Sequence, residues 1–452
     1  MRALLIFTLA FPFLISCETS INRNSETPAS KAITPNDSIP VVIIRSYFNR
    51  IENLTLDELR MGLESGRIAC TSDIADRLTT KLQLEKSPVT KPLGEFSRVD
   101  STSFMVTSID SLKPCYLVTS LNGSHFFKDR LTYLLWVADS TSHDYSKAIT
   151  SYTHTGVTAL TRRTGSVLNT LTPGQYLELI KPEIGSPDLL HISNEVSMLD
   201  LCDYGSMKMK FATKSEHFRV LEELGADLVE LTGNHNLDVG TEPYTNTIKW
   251  YQEKGMKTFG GGLSPEEAGA PLIMTLNDGR KAAWIGFNEI CPCGECADKT
   301  MGSNRYSDAS AKSTIDALKS RGDIEYILAC VQFGESDSYV PTSSQKRISK
   351  YLVDCGADVV IGSQAHQPQT FEWYKERMIF YGIGNFMFDQ IHRIGVRQAY
   401  FLECYFYKGR IVQFIPHFTF MGDDRRPAPA NASNTELIKK AVYLPSYMQS
   451  SK

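Results

Sequence analysis

No stretch of this sequence holds the ~20 consecutive apolar residues that a helix needs to cross a bilayer; the opening apolar run, Ala3 to Ile15, stops short. A strong charge of either sign is missing too. Forty-seven Lys and Arg against 51 Asp and Glu leave a net charge of −4, so no bulk electrostatic pull toward nucleic acid exists and none is expected as a partner. No solenoid-type repeat recurs. What is present is ordinary for a folded chain: 42% hydrophobic and 22% charged residues over 452 positions, enough for two domains with appendages.

The first segment is the most localised signal. Arg2, the short apolar run, then Ser16 and Cys17 have the layout of a secretory signal. Leu14-Ile15-Ser16-Cys17 resembles the lipobox of bacterial lipoproteins, which makes residues 1–17 a lipoprotein signal and implies diacylation of Cys17 after cleavage; the alternative is a plain signal with an incidental cysteine. The polar, Pro/Ser/Thr/Asn-rich stretch 18–38 holds too little apolar content to fold and reads as a tether. The expectation is a protein lipid-anchored to the cell membrane or outer membrane, facing away from the cytoplasm. Ten cysteines less Cys17 leave nine, so at least one lacks an intrachain partner. For Cys291-Pro-Cys293-Gly-Glu-Cys296 a local disulfide or a plain loop is favoured over zinc, which needs a fourth ligand from elsewhere.

Beyond the tether, residues 39–147 read as a small α/β domain without a chemical constellation. "VVIIRSYF" is its strand, and Thr55 with Glu58 forms a capping box for a helix that Gly66 stops. From 148 to 425 strand–loop–helix units alternate, the pattern of a layered α/β domain, and 426–452 reads as a tail. Thr213 and Glu216 are expected to cap the helix that ends at Gly225.

Within the larger domain two stretches match. "GADLVELTGNH" ends at His235 and "GADVVIGSQAH" at His366, each His ten residues after its Gly. A helix ending at Gly, a buried strand and a loop carrying His would place both imidazoles outside the carboxyl ends of strands, where open α/β sheets build their sites. Asn194 and Glu195, Gln332 and Glu335, and Asn385 fall at other strand ends. The bland alternative is a common helix-to-strand connection with an incidental His; two matched offsets favour one shared cleft.

These segments resemble the CapA family of poly-γ-glutamate capsule synthesis proteins, related to calcineurin-like metallophosphoesterases. "LTGNHNLDVG" is similar to that family's Asn-Asn-His…Asp-x-Gly motif, "ISNEVS" to its Asn-Leu-Glu segment, "FGGG" to its Gly-Ala-Gly, "GADVVIGSQAHQPQ" to its Gly-His-x-Pro-His segment and "FYGIGNFMFDQ" to "YSLGNFVFD". The resemblance runs from about Thr155 to Asp389. It implies a four-layer α/β/β/α sandwich with a site at one edge of paired sheets, the smaller α/β domain preceding it. Carried across, Glu195, Asn234, His235 and His366 match the family's polar site. Three positions depart from it: Val157 stands where the family has an acid, Gln332 where it has the His of His-Trp-Gly, and Gln364 where it has the first His of a pair. A two-metal centre needs carboxylates and imidazoles, so at most one divalent metal is expected, on Glu195, His235 and His366.

Two functions follow. In the first, an envelope hydrolase or transferase uses His235 as general acid/base, oriented by Glu195 or Asp238, with Asn234 and His366 completing the catalytic set. In the second, the cleft binds an envelope polymer, carbohydrate or small molecule without turnover. Gln332, Glu335, Gln364 and Asn385 are substrate-binding candidates in both. Phe333, Phe371, Trp373 and Tyr374 are core rather than cleft residues on the ordinary expectation.

Overall fold

The computed structural model describes residues 38–449, apart from 131, 139–144, 146, 208–209 and 292–294. The signal, Cys17, the tether and Cys293 lie outside the described residues.

Two sheets face each other. The first has eight strands: Lys257–Phe259, Leu228–Glu230, Leu189–Asn194, Ile149–Thr158, Gln398–Tyr407, Arg410–Met421 and Pro427–Pro429 in order, with Asn385–Met387 also paired to Ile149–Thr158. The second has six: Leu272–Thr275, Lys281–Asn288, Ile324–Ser336, Val359–Ala365, Arg377–Phe380 and Phe371–Tyr374. Side chains alternate along each strand. Leu328 and Cys330 therefore point into the seam between the sheets, while Ile327, Ala329 and Val331 meet the outer helices Asp308–Arg321 and Ser343–Cys355. On the other outer face Leu190, Ile192 and Val229 meet Pro173–Leu177, Arg219–Leu224 and Thr241–Glu253. The result is the four-layer α/β/β/α arrangement.

The twin Gly-Ala-Asp segments have a structural reason. Gly225 and Gly356 end their helices at φ 85° and 121°, a region open to Gly. The following Asp then clamps the start of the neighbouring parallel strand. Asp227 N–H donates to Leu190 O at 2.9 Å while its Oδ2 accepts from Leu190 N–H at 2.8 Å. Asp358 does the same with Ile327, at 2.9 Å for each bond. Each clamp sets the register of a parallel pair before the strand runs on to its His loop.

Residues 38–138 form their own six-stranded sheet, and the capping box of Thr55 and Glu58 is present on the helix Leu56–Glu64. Its core does not stop at residue 147. Val41, Ile43 and Leu121 belong to the same buried cluster as Trp284, Leu328 and Phe414. Gln413 accepts from Val118 N–H at 2.8 Å and donates to Tyr116 O at 3.0 Å, and Phe127 stacks on Tyr405 at 4.4 Å. The stretch read as a tail is folded as well: the strand Pro427–Pro429 pairs with Arg410–Met421, and Ile438, Val442 and Met448 are buried.

One local expectation is corrected. Thr213 does not cap a helix: it lies in the short strand Ala212–Thr213, its hydroxyl donating to Leu160 O at 2.6 Å, and the chain turns through a 3-10 segment, Ser215–Phe218, before the helix Arg219–Leu224. Phe333, Phe371 and Trp373 are buried and Tyr374 is partly so. Cys291 and Cys296 are joined as a disulfide, their Cα atoms 5.3 Å apart. Among the described residues no helix is long and apolar enough to cross a membrane.

Candidate functional site

The parallel strands of both sheets end at the same edge, and the polar residues named from the sequence collect there. Glu195 follows the strand Leu189–Asn194 and is 1% exposed. Gly233 lets the next loop lie against it, since a Cβ on Gly233 would sit 2.8 Å from the Glu195 Cα.

Three amides, one from the first sheet and two from the second, bond across the edge. The Gln332 amide nitrogen donates to Asn234 Oδ1 at 2.9 Å and to Gln364 Oε1 at 3.0 Å; the Gln364 nitrogen donates to Asn234 Oδ1 at 3.1 Å. Gln364 sits at φ 69°, where the pairing with Ile324–Ser336 shifts register. That left-handed step interrupts the alternation that would carry its side chain to the helix face, at a cost of roughly 1 kcal/mol or more.

The imidazoles are held differently. His235 Nδ1 lies 2.7 Å from Asp238 Oδ2, which also accepts from Phe211 N–H at 2.7 Å. The carboxylate accepts, so Nδ1 carries a proton and Nε2 is left for a ligand. Asp238, not Glu195, is thus the orienting group. His366 Nδ1 lies 2.8 Å from Asn385 Oδ1, whose own nitrogen donates to Val396 O at 3.0 Å and Gln390 Oε1 at 3.2 Å. This fixes the amide with its oxygen toward the ring. His366 Nε2 is 3.6 Å from Glu335 Oε1.

Both imidazoles act on the same carboxyls. Burial raises the Glu195 pKa, and His235, His366 and Gln332 only partly oppose it. For His235 burial works downward, but the Asp238 hydrogen bond and the Glu195 charge outweigh it and the pKa is raised. Contact with His366 and the charges of His366 and His235 hold Glu335 below the usual carboxylate range. The site thus sets a buried carboxyl whose pKa is raised near an imidazole whose pKa is raised as well, side chains of the kind general acid–base chemistry uses.

Two acceptors inside the site, Glu195 Oε1 and Gln332 Oε1, are buried without a donor. These orphaned oxygens call for an N–H, an O–H or a cation from a ligand. The residues do not fit a binuclear metal centre. Val157 offers no ligand atom, Asn234 Oδ1 already accepts two hydrogen bonds, and Glu195, His235 and His366 do not bring their ligand atoms within 4.8 Å of one another as a set.

Residue-by-residue reading missed several members. Arg162, at φ 49°, lays its guanidinium 4.5 Å from the Phe211 ring and 5.0 Å from Phe388, paired with Asp389. Phe211 in turn packs at a tilt against His235, ring centroids 4.1 Å apart. Arg162 follows a strand end, so the placement rule that found Glu195 would have found it. Glu295, pushed by burial up to about 7, accepts from Leu237 N–H at 2.9 Å behind the His235 loop; no sequence pattern marks it. A separate cavity of about 440 Å³, at the seam with the N-terminal sheet, is walled by Arg45, Arg50, His417 and Lys439 and by none of the strand-end residues.

Paired sheets closed by a polar edge define the class: an α/β sandwich with its chemistry at the strand ends. Residues 150–390 match the model of the family described as bacterial capsule synthesis protein PGA_cap. The chain belongs to that family. It is 29% identical over 182 residues to the capsule biosynthesis protein CapA of Bacillus anthracis, covering 40% of this chain and 44% of that one. With the PGA biosynthesis protein CapA of Bacillus subtilis it shares 22% over 249 residues, 54% of this chain and 65% of the other. The match therefore spans less than two thirds of each relative. Among solved structures, the NAD nucleotidase of Haemophilus influenzae superposes with a TM-score of 0.34 at 14% identity, over 67% of this chain and 57% of that one, too distant to carry residue roles across.

Proposed function

We propose that this protein acts in the synthesis or processing of an extracellular capsule-type polymer of poly-γ-glutamate-like chemistry, as a hydrolase or transferase whose proton transfers run through side chains. The observation that carries the reading is His235: oriented by Asp238, its pKa raised, and coupled to the buried Glu195, whose pKa is raised too. In hydrolysis of an amide link, His235 Nε2 would take a proton from the attacking water and the Glu195 carboxyl would return one to the departing nitrogen. The unpartnered Glu195 Oε1 and Gln332 Oε1 suit a ligand rich in amide N–H groups. Membership of the capsule-synthesis family and the names of the two relatives support the substrate class.

A binding-only reading has its own support, in the three amides that satisfy one another where a metal-driven enzyme would hold ligands. One experiment separates the two: incubation of purified protein with poly-γ-glutamate in excess chelator, followed by chain length and free amine. Shortening that His235→Ala abolishes supports the enzyme. Unchanged chain length with retention of the polymer on immobilised protein establishes the binder, and neither result would sink both. We also propose a lipid anchor on Cys17; Cys17→Ser would then move the protein from the membrane to the soluble fraction, and a mutant still membrane-bound after a high-salt wash would contradict it.

A further inference from the structure

One layer beneath the strand-end site, four side chains with ligand atoms meet in the seam between the sheets. They are His154, His191, Glu230 and Cys330, and one ligand atom from each lies within 4.8 Å of all the others. None is more than 3% exposed. The strands dictate the meeting. His154 and His191 are direct partners across a parallel pair, and Leu228, two residues before Glu230 on the same face, is the partner of His191. Cys330 faces them from the second sheet, on the inward alternation of Leu328.

Such a group is out of place among Leu189, Leu228, Trp284 and Phe406, its neighbours in the same core. Each buried polar group costs a few kcal/mol unless it is satisfied. The hydrogen bonds present do not suffice. The His154 ring is stacked on that of His191 at 3.7 Å. Its Nδ1 lies 2.7 Å from the Tyr152 hydroxyl, itself fixed by the Trp284 N–H at 3.1 Å. Glu230 is shared between Thr232 and His191 Nε2, the latter at 3.1 Å. His191 Nδ1 has no partner at all.

We propose that this cluster is a structural binding site for one divalent transition-metal ion, zinc first. Two imidazoles, one carboxylate and one thiolate are a four-coordinate set suited to zinc or cobalt. With ligands about 2.0 Å from the ion, a tetrahedron has edges of about 3.3 Å, close to the 3.1 Å already separating His191 from Glu230. The outer contact of His154 with Tyr152 is of the kind that orients a ligating ring and leaves Nε2 for the metal.

Charge fits the same set: bound as carboxylate and thiolate, Glu230 and Cys330 would set two single negative charges against the 2+ ion, so the buried site would be neutral overall. Four protein ligands leave no open position, so the ion would be structural. It would tie three strands of one sheet to the second sheet directly below Glu195, Asn234 and Gln332.

The test is cobalt substitution of the full chain, expressed in cobalt-supplemented medium, with metal content and absorption measured together. The account expects about one ion per chain, four-coordinate visible bands and a near-ultraviolet thiolate-to-cobalt band. Cys330→Ser should abolish that band, while a His235→Ala/His366→Ala double variant should keep it. A wild-type protein without bound metal overturns the proposal, whatever the folding of the Cys330 variant. So does metal that gives no thiolate band and is lost with His235 and His366, because it then belongs to the strand-end site.

Discussion

The two Gly-Ala-Asp-to-His segments share a sequence layout and a backbone device, yet their histidines are placed in different chemical settings. His235 has a side chain 16% exposed and an ionisable partner in Asp238. His366, at 3%, takes its orientation from the neutral amide of Asn385 and points its other nitrogen at Glu335. The repeated part is structural: Gly ends the helix and Asp clamps the neighbouring strand. The divergent part lies beyond the strand, where the loop selects the partner and hence the role. One segment delivers a basic imidazole accessible to a ligand; the other delivers a buried, oriented hydrogen-bonding group.

The largest expected effect breaks that symmetry of sequence. His235→Ala should reduce polymer turnover by ~10²–10⁴-fold, the usual worth of a general acid–base group. His366→Ala should weaken ligand affinity more than the chemical step, read as KM against kcat. Equal losses in kcat from both variants would show that the different surroundings do not set different roles.

A smaller effect probes what the segments share. Asp227→Ala and Asp358→Ala each remove a strand clamp and leave a backbone N–H unpaired, so each should destabilise the fold by about 1–3 kcal/mol. Asp→Asn at either place retains an acceptor and should cost much less. Urea unfolding checks this, and a large difference between the two Ala variants would mean that the clamps are not equivalent.

The smallest concerns Glu295, which backs the His235 loop. Burial lifts it to about 7. Between the ordinary carboxylate range and pH 7 the folded state keeps a proton that the unfolded state has released, so stability falls as pH rises through that window. Above pH 7 the penalty is complete. Glu295→Gln keeps an acceptor for Leu237 N–H and should stabilise the protein by about 1–2 kcal/mol at pH 8, with the gain vanishing toward pH 4. A gain that does not depend on pH would point to packing instead.

Much of this architecture was legible because its signals are local. Strand–loop–helix alternation marked the layered α/β domain, the Thr55 and Glu58 pair marked a helix start, the strand-end rule pointed to Glu195, His235, Gln332, His366 and Asn385, and the family resemblance added Asn234 and Gln364. The Thr213 box failed because a tertiary partner, Leu160 O, took the hydroxyl. The buried cluster was invisible because His154, His191, Glu230 and Cys330 have no short spacing to announce them. Only the register of three strands and the facing of a second sheet bring them together. The continuity of the N-terminal core with the sandwich was hidden for the same reason: Val118 and Gln413 meet across 295 residues.

The claim on which the account rests is that both imidazoles address one ligand in different ways. The most direct measurement follows the ring signals of His235 and His366 by NMR, in selectively labelled protein titrated with short γ-glutamyl oligomers in excess chelator. The account predicts that both respond with the same midpoint, and that the pKa of free His235 lies above the ordinary histidine value and drops in Asp238→Asn. Signals that move at different midpoints, or a His235 that titrates at or below the ordinary value, would contradict it.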